Sequence, residues 1–305
     1  MNESQKGVLF GIGAYFLWGA MAPYLGLLRH IPALEIAAHR AVWSLPIAMG
    51  MLLLATGALQ ETIRVLRTPK LLAILLMSSL FIATNWSLYI WSIEQHRTLE
   101  SALGYYINPL LNVLVGYVFL KERFTRAQQI AIGLASIAVG LQTWAAGVFP
   151  WVGLTLAGSF CAYGFIRKQV PVSAAPGFFI EVLVLSVPAA LYIYSGFADG
   201  STHFMIDFHD SALLLGLGAF TATPLLLYAA CVRRLRYSTV GVLQYISPSL
   251  VFLTAIFVFH EPMDLSRLSS FGLLWVALAI YTVASLKEDH ARRKQAKITS
   301  AGAGV

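Results

Sequence analysis

The chain has 305 residues, of which 58% are hydrophobic and 11% are charged. A soluble domain carries about 25% charged residues, so this composition excludes an ordinary water-soluble protein. The formal net charge is +7, but the cations form short clusters between apolar runs, and we expect no nucleic-acid partner.

Apolar runs of about 20 residues follow one another along the chain and predict an all-α, polytopic membrane protein. We interpret them as ten transmembrane helices at 7–28, 35–56, 71–93, 100–120, 127–146, 150–167, 177–197, 211–231, 238–259 and 268–286. The first run is long enough to span a membrane, and we interpret it as an uncleaved helix. Cys161 and Cys231 lie inside spans, where we expect them to pack as apolar residues; neither a metal nor a cofactor is expected.

The distribution of cations predicts the orientation of the chain. Seventeen of the 21 Lys and Arg residues lie in segments on one side of the membrane, and three lie on the other side. Because such residues are retained on the cytoplasmic side, both termini are expected in the cytoplasm. The basic tail at 287–305 is expected to face lipid headgroups.

An internal repeat divides the chain into two halves. The stretch 101–122 recurs at 240–261 with a constant shift of 139 residues. Tyr106, Pro109 and Glu122 fall on Tyr245, Pro248 and Glu261. Because each half has five spans, an odd number, the halves are expected to be inverted repeats. The predicted domains are a first repeat at 1–146, a second at 147–286 and the cytoplasmic tail at 287–305.

The two prolines at the centre of the repeat predict a hinge in each half. Pro109 and Pro248 each leave the carbonyl four residues earlier, at Tyr105 and Gln244, without its helical partner. Irregular backbone at membrane depth is tolerated only inside protein or beside a water-filled cavity. A substrate cavity at this depth is therefore one interpretation, and local satisfaction of each kink by the adjacent Asn or Ser side chain is the other.

Polar and aromatic residues near the membrane centre complete the predicted cavity. Asn85 and Tyr89 are four residues apart and share one helix face, with Trp86 beside it. An amide at this depth is expected either to contact substrate or to form an interhelical hydrogen bond. The predicted substrate-binding residues are Trp18, Arg40, Asn85, Trp86, Tyr89, Tyr105, Tyr106, Asn108, Tyr163, Gln244, Tyr245 and Ser247.

Arg40 and Glu181 are full charges inside predicted spans, and each lies closer to a helix end than to the membrane centre. Arg40 is expected either to extend its charge to the headgroups or to line the cavity and attract an anion, helped by His39. Glu181 is expected either to reach the opposite surface or to couple transport to protons. Since the two lie in comparable places of inverted halves, we do not expect them to pair.

Three shorter signals predict local structure. Gly7 and Gly11 have the spacing of a close helix contact. Thr125 and Gln128 have the spacing of a capping box at the start of the fifth span. Glu122, immediately before that box, is expected to stabilise the turn.

The chain resembles a known family in several motifs. The EamA repeat of the drug/metabolite transporter superfamily is matched by Pro109, Leu120-Lys-Glu122, Thr125, Gln129, Gly133 and Gly140, and again by Pro248, Glu261 and Gly272. The RarD subgroup is matched by Phe16-Leu-Trp-Gly19, His39-Arg40, Asn85-Trp-Ser-Leu-Tyr-Ile-Trp91 and 101–109. The second half departs at Pro262, where the first has Arg123. This resemblance implies ten helices, two EamA repeats, an inner-membrane location and carriage of small metabolites.

The sequence contains no zinc-protease, G-x-S-x-G or phosphate-loop motif, and we expect no enzyme activity. We expect a secondary transporter, acting as an exporter, that moves small amphipathic metabolites such as amino acids or drug-like compounds by alternating access. A passive channel or facilitator is the alternative, and an intramembrane lipid enzyme is a third interpretation. The expected partners are a small-molecule substrate and the lipid bilayer, with the protein as a monomer or homodimer.

Overall fold

The computed structural model describes residues 2–95, 97–147, 149–257 and 265–302, and within these ranges the regular secondary structure is helical. The helices are α1 (Glu3–Gly26), α2 (Ala33–Leu54), α3 (Ala58–Leu66), α4 (Pro69–Glu94), α5 (Thr98–Val118), α6 (Arg126–Ala146), α7 (Trp151–Gln169), α8 (Ala174–Asp199), α9 (Phe208–Arg234), α10 (Tyr237–Gln244), α11 (Ile246–Phe257) and α12 (Leu265–Gly302). The repeat positions Glu261 and Pro262, and the last three residues of the predicted tail, lie outside the described residues.

Several of these helices are long and apolar enough to cross a membrane. By length and composition, six segments of the described chain meet this condition: Glu3–Gly26, Ala33–Leu54, Pro69–Ser92, Ala174–Asp199, Phe208–Arg234 and Leu268–Ser285. Large apolar side chains such as Leu54, Trp144 and Phe208 are more than four-fifths exposed. An apolar outer surface of this kind suits contact with lipid and not with water.

The helices differ from the ten predicted spans at α3. This short helix was not predicted, because it is too short and too polar to resemble a spanning segment. It is amphipathic instead: Ala58, Thr62 and Val65 recur at helical spacing and are buried, while the opposite face is exposed. Such a helix covers a surface of the bundle without crossing the membrane.

The two central prolines have different effects on their helices. α5 runs without interruption through Pro109, so the irregular backbone expected there is not found. A helix can absorb one missing hydrogen bond without ending. The corresponding segment of the second half is divided into α10 and α11 at Tyr245. The Tyr245 amide donates to the Val242 carbonyl at 3.2 Å, a tighter turn than the α-helix. Pro248 has no amide to offer the carbonyl of Gln244.

Helix packing brings the two halves of the chain together. α1 packs against α9 and α11, and α7 packs against α4 and α5. The remaining large contacts join α2 to α8 and α9, α5 to α10, and α6 to α12. α5 approaches its neighbours at glycines: an ideal Cβ on Gly241 would lie 2.7 Å from the Pro109 carbonyl oxygen, and one on Gly104 would lie 2.9 Å from the Gly153 carbonyl oxygen. Backbone-to-backbone contact therefore fixes α5 against both α10 and α7.

Two of the three shorter sequence signals, and the packing predicted for the cysteines, are confirmed. Gly7 and Gly11 pack closely, each with an ideal Cβ 2.9 Å from side-chain atoms of α9 or its end. Thr125 and Gln128 form the predicted capping box at the start of α6. Cys161 and Cys231 are free and buried in the main apolar core.

Candidate functional site

A cavity of about 330 Å³ lies between α1, α2, α4, α5, α7, α9, α10 and α11. It reaches Leu25 and Ser101, which lie near the C-terminal end of α1 and the N-terminal start of α5. In the other direction it ends at Gln244, the last residue of α10. The described lining is formed by Tyr15, Trp18, Met21, Leu25, Arg40, Asn85, Trp86, Tyr89, Ser101, Ala102, Gly104, Tyr105, Tyr106, Asn108, Leu156, Ala157, Phe160, Leu225, Gln244, Ser247, Pro248 and Val251.

The structure brings ten of the twelve predicted binding residues into this one lining. They are Trp18, Arg40, Asn85, Trp86, Tyr89, Tyr105, Tyr106, Asn108, Gln244 and Ser247. Tyr163 and Tyr245 are buried in packing instead, and Pro248 lines the cavity whereas Pro109 does not. Substrate contact by these residues and hinge motion at the prolines remain predictions.

Arg40 lines the cavity and does not extend to the headgroups, while its attraction of an anion remains a prediction. Its Nε–H donates to the Thr221 hydroxyl at 3.1 Å. The guanidinium carbon lies 5.2 Å from the centre of the Trp86 ring, a cation–π distance. Tyr89 and Tyr105 are close enough to interact electrostatically with it. The charge is therefore directed into the bundle and not toward the headgroups.

The sequence predicts that His39 helps Arg40 to attract an anion, but the structure places His39 in other contacts. It is fully buried, and its Nδ1 accepts from the Trp43 ring at 2.9 Å. Its other ring nitrogen faces the Glu35 carboxylate, 4.0 Å away. Glu35 in turn accepts hydrogen bonds from Thr202 and from the His203 amide, at 3.0 and 2.7 Å. These residues tie α2 to the α8–α9 loop, outside the cavity.

Asn85 forms the interhelical hydrogen bonds that were one of its predicted roles. Its Nδ2 donates to the Leu156 carbonyl at 2.8 Å and to the Ser159 hydroxyl at 3.1 Å. The same side chain is only partly buried and lines the cavity. Its amide nitrogen is thus committed to α7, whereas the side chain still borders the space where a substrate would lie.

A buried chain of amides lies beneath the cavity. The Asn108 Nδ2 donates to the Ala157 carbonyl at 2.9 Å, so Asn108 bonds to α7 and not to the Tyr105 carbonyl of its own helix. The Asn112 Nδ2 donates to Asn108 Oδ1 and to Gln244 Oε1, both at 3.1 Å. Sequence reasoning missed Asn112, although an Asn pair four residues apart within an apolar run is a visible signal.

Aromatic rings form the floor of the cavity on the α1, α7 and α9 side. The Trp18 ring centre lies 5.6 Å from that of Tyr15, 5.7 Å from that of Phe160 and 5.7 Å from that of Tyr228. Tyr163 lies behind this layer, stacked on Tyr228 at 6.1 Å. These spacings are those of packed aromatic pairs, so the floor is a rigid apolar surface.

Glu181 is buried and paired, so the prediction that it reaches the membrane surface is wrong. It accepts hydrogen bonds from Ser78 at 2.7 Å and from Tyr163 at 3.3 Å. Arg167 forms an ion pair with it, Nε to Oε1 at 3.7 Å, and the two side chains are 0% and 2% exposed. Arg167 is one of the seventeen cations that the sequence assigns to the cytoplasmic segments. The fold buries it next to Gly177, where a Cβ would lie 1.8 Å from its Nη1.

Contacts between the two halves, and one within the second half, close the bundle on the side away from Leu25 and Ser101. The Tyr15 hydroxyl donates to the Val240 carbonyl at 3.1 Å. The Lys168 ammonium donates to the Leu235 carbonyl at 2.5 Å. Glu122, predicted to stabilise its own turn, instead accepts hydrogen bonds from the first amides of α10. The cavity therefore ends inside the protein on this side.

A group of three potential metal ligands, Asp207, His209 and Asp210, lies at the start of α9. Asp207 is the N-cap of this helix and accepts from the Asp210 amide at 3.2 Å. Asp210 also pairs with His30 at 2.7 Å. Capping and surface ion pairing account for these side chains, and they are separate from the cavity.

Comparisons with known proteins agree with this architecture. Residues 5–144 match the EamA-like transporter family. The chain is 42% identical over 281 residues to an uncharacterized transporter of Pseudomonas aeruginosa, covering 91% of this chain and 93% of that protein. It is 40% identical over 284 residues to Protein RarD of Salmonella typhi, covering 92% and 96%. A solved crystal structure with 18% identity matches with a TM-score of 0.69, covering 92% of this chain and 99% of that one, and thus shares the fold.

The relatives span nearly the whole chain, so both halves and the cavity between them lie within the region of similarity. The apolar helices agree with the membrane location of such proteins. The chain therefore belongs to the EamA-like transporter family, among the RarD-type transporters, and is a multi-pass membrane protein.

Proposed function

We propose that the chain is a secondary transporter of the bacterial inner membrane. It moves small amphipathic metabolites, such as amino acids or drug-like compounds, by alternating access, with export as the working direction. The observation that carries this proposal is the cavity of about 330 Å³. Its lining extends to Leu25 and Ser101 near the helix ends on one side, and contacts such as Tyr15 to Val240 and Tyr237 to Glu122 lie across the other side. Its size, aromatic walls and few polar groups are typical of small-molecule sites.

The proposal includes ten spanning segments arranged as two inverted five-helix repeats, 1–146 and 147–286. Exchanging the halves replaces α1 by α7, α4 by α9, and α5 by the α10–α11 pair. Under this exchange the contact of α1 with α9 becomes the contact of α7 with α4, and the contact of α5 with α7 becomes the contact of α11 with α1. All four of these helix contacts are present in the structure, and this supports the repeat.

The positions of Lys and Arg support cytoplasmic termini, with the cavity then open toward the outside of the cell. Glu122, Tyr237 and Lys168 would belong to a closed cytoplasmic side. A reporter fused after Val305 tests this orientation: it is expected to report the cytoplasm, and an external signal would contradict the topology.

Reconstitution in proteoliposomes tests transport itself. A screen that measures thermal stabilisation of the purified protein identifies substrates, and their labelled forms are then followed across the membrane. Asn85→Ala and Tyr106→Ala are expected to abolish transport while the proteins still insert. Tyr117→Ala, on the exposed side of the same helix as Tyr106, is the matched control and should transport normally. Normal transport by both cavity variants would exclude this site.

The closed side of the cavity favours a carrier over a passive channel, which needs a continuous path. Counterflow separates the two mechanisms. Vesicles preloaded with unlabelled substrate are expected to accumulate labelled substrate transiently, because a carrier exchanges one molecule for another. Simple equilibration without accumulation would indicate a channel.

A further inference from the structure

We propose that the cavity selects organic monoanions that combine one carboxylate with a flat apolar ring, and that it discriminates against the corresponding amino acids and amines. This assignment rests on the proposed transport function. Within the small amphipathic metabolites named there, it places carboxylates without an ammonium group ahead of amino acids. It follows from the charge, the hydrogen bonds and the surface of the described lining residues.

Arg40 offers an unused fork of donors to the cavity. Its Nε–H is held by Thr221 at 3.1 Å, and the Trp86 ring lies against the guanidinium at 5.2 Å. Among the described residues, the hydrogen bond to Thr221 is made by Nε, and no hydrogen bond or ion pair is made by the two terminal nitrogens of Arg40. The N–H groups of these nitrogens are therefore available to another acceptor. A carboxylate accepts two parallel hydrogen bonds from such a fork, and an arginine held on both sides loses little entropy in forming them.

The lining provides no counter-charge for an ammonium group. Arg40 is the one charged side chain among the described lining residues. The carboxylate that lies next to the lining in sequence, Glu100, pairs with Arg97 at 3.3 Å. Burial of a cation beside Arg40 would therefore add repulsion to the cost of its desolvation. A zwitterion would gain the carboxylate contact and then lose part of that gain at its ammonium.

The amides of the cavity do not replace the missing anion. Asn108 Oδ1 and Gln244 Oε1 both accept from Asn112 at 3.1 Å, and the Asn85 nitrogen donates to α7. These groups are dipoles already oriented by protein partners. A neutral oxygen that shares its lone pairs with Asn112 offers an ammonium much less than a carboxylate does.

The rest of the lining suits a flat apolar group. Trp18 and Phe160 form the packed aromatic floor at 5.7 Å, and the Tyr105 side chain is 47% exposed, with its surface bordering the cavity. Offset and edge-to-face contacts with such rings favour an aromatic ligand over an aliphatic one. The volume of about 330 Å³ restricts the ligand to a single-ring or two-ring compound.

Four compounds of nearly equal shape test the charge preference: 3-phenylpropanoate, phenylalanine, phenethylamine and 3-phenylpropanamide. Affinity is measured by thermal stabilisation of the purified wild-type protein, and transport is measured by counterflow in proteoliposomes. We expect 3-phenylpropanoate to bind about tenfold more tightly than each of the other three, the gain typical of a charge-assisted hydrogen-bond pair.

Variants identify the residue that produces the preference. Arg40→Gln is expected to remove the difference between 3-phenylpropanoate and 3-phenylpropanamide. Arg64→Gln, which removes a cation whose side chain is 60% exposed and lies outside the described lining, should leave it unchanged. Ser247→Asp adds a carboxylate to the intact cavity and should raise the affinity for phenethylamine relative to 3-phenylpropanoate. This gain does not depend on whether Arg40→Gln folds.

Two results overturn the assignment in distinguishable ways. Binding and transport of phenylalanine or phenethylamine at least as well as 3-phenylpropanoate would reject the anion preference and leave the transport function intact. If the wild-type protein binds and moves none of the four compounds and none of the compounds in the wider metabolite screen, both the anion preference and the transport function are rejected.

Discussion

The carboxylate of Glu122, in the first half of the chain, caps the first turn of α10 in the second half at Tyr237. The Tyr237 amide donates to Glu122 Oε1 at 2.6 Å, and the Ser238 amide donates to Oε2 at 3.1 Å. α10 has no cap from its own N-cap residue, Arg236. A negative charge from one repeat thus satisfies the free amides and the positive dipole end of a helix in the other.

Removal of this cap is expected to destabilise the closed side of the bundle. Glu122→Ala should lower the free energy of unfolding by about 1–2 kcal/mol, because it leaves two helix amides unsatisfied and removes a favourable charge. Unfolding in mixed micelles titrated with a denaturing detergent measures this change. Glu3→Ala removes a carboxylate whose side chain is 64% exposed and should have little effect. Equal losses in the two variants would contradict a specific role for Glu122.

The buried Arg167–Glu181 pair gives a second prediction. Arg167→Met should destabilise the protein by about 3–5 kcal/mol, because it leaves the Glu181 carboxylate buried without its counter-ion. Arg167→Met combined with Glu181→Leu should be less destabilising than Arg167→Met alone, and the same detergent titration compares them. A double variant as unstable as the sum of the two single variants would show that the charges do not interact.

The role of Glu181 in proton coupling is tested separately by Glu181→Gln. The amide keeps the size of the side chain and an acceptor for Ser78, which donates to Glu181 at 2.7 Å. If Glu181 carries a proton, this variant should lose the response of transport to a pH gradient while substrate counterflow continues. An unchanged response to the gradient would assign Glu181 to structure alone.

Two glycines of α7 provide a matched test of helix packing. An ideal Cβ on Gly164 would lie 2.0 Å from the Tyr228 hydroxyl oxygen and 2.6 Å from that of Tyr237, whereas one on Gly158 meets nothing within 4 Å. Gly164→Ala should therefore cost about 1–3 kcal/mol by overpacking. Gly158→Ala should be neutral or stabilising by up to about 1 kcal/mol, because alanine favours the helix. The fraction of folded protein across a detergent titration measures the stability of each variant. Equal stability of the two variants would reject the packing described for α7.

Asn112 gives a prediction for the amide chain beneath the cavity. Asn112→Leu removes the donor to both Asn108 and Gln244 and should cost about 1–3 kcal/mol, the penalty for buried polar atoms left without partners. Since Gln244 lines the cavity, substrate affinity should also fall. Thr155→Leu, on the exposed face of α7, is the control. Full stability and affinity in Asn112→Leu would show that the chain of amides is not required.

Local hydropathy was sufficient for much of the fold because insertion into a bilayer depends on each segment almost independently. It located the segments that become the long helices, and the 139-residue shift related Tyr106 to Tyr245. Helix periodicity also grouped Asn85 with Tyr89, and both line the cavity. Helix periodicity could not distinguish a proline inside a continuous helix, as Pro109 is in α5, from a proline just after a helix break, as Pro248 is in α11, since the surrounding contacts decide between them.

The sequence by itself thus determined which segments are apolar helices, the repeat that relates the halves, and most of the polar residues that line one cavity. Only the tertiary structure decided the partners of the charges: Arg40 faces the cavity beside Trp86, Arg167 neutralises Glu181, and Glu122 caps α10. The physical reason is distance along the chain. A charge at membrane depth needs a partner, but which partner reaches it depends on how helices far apart in sequence cross and pack, and no local pattern records that.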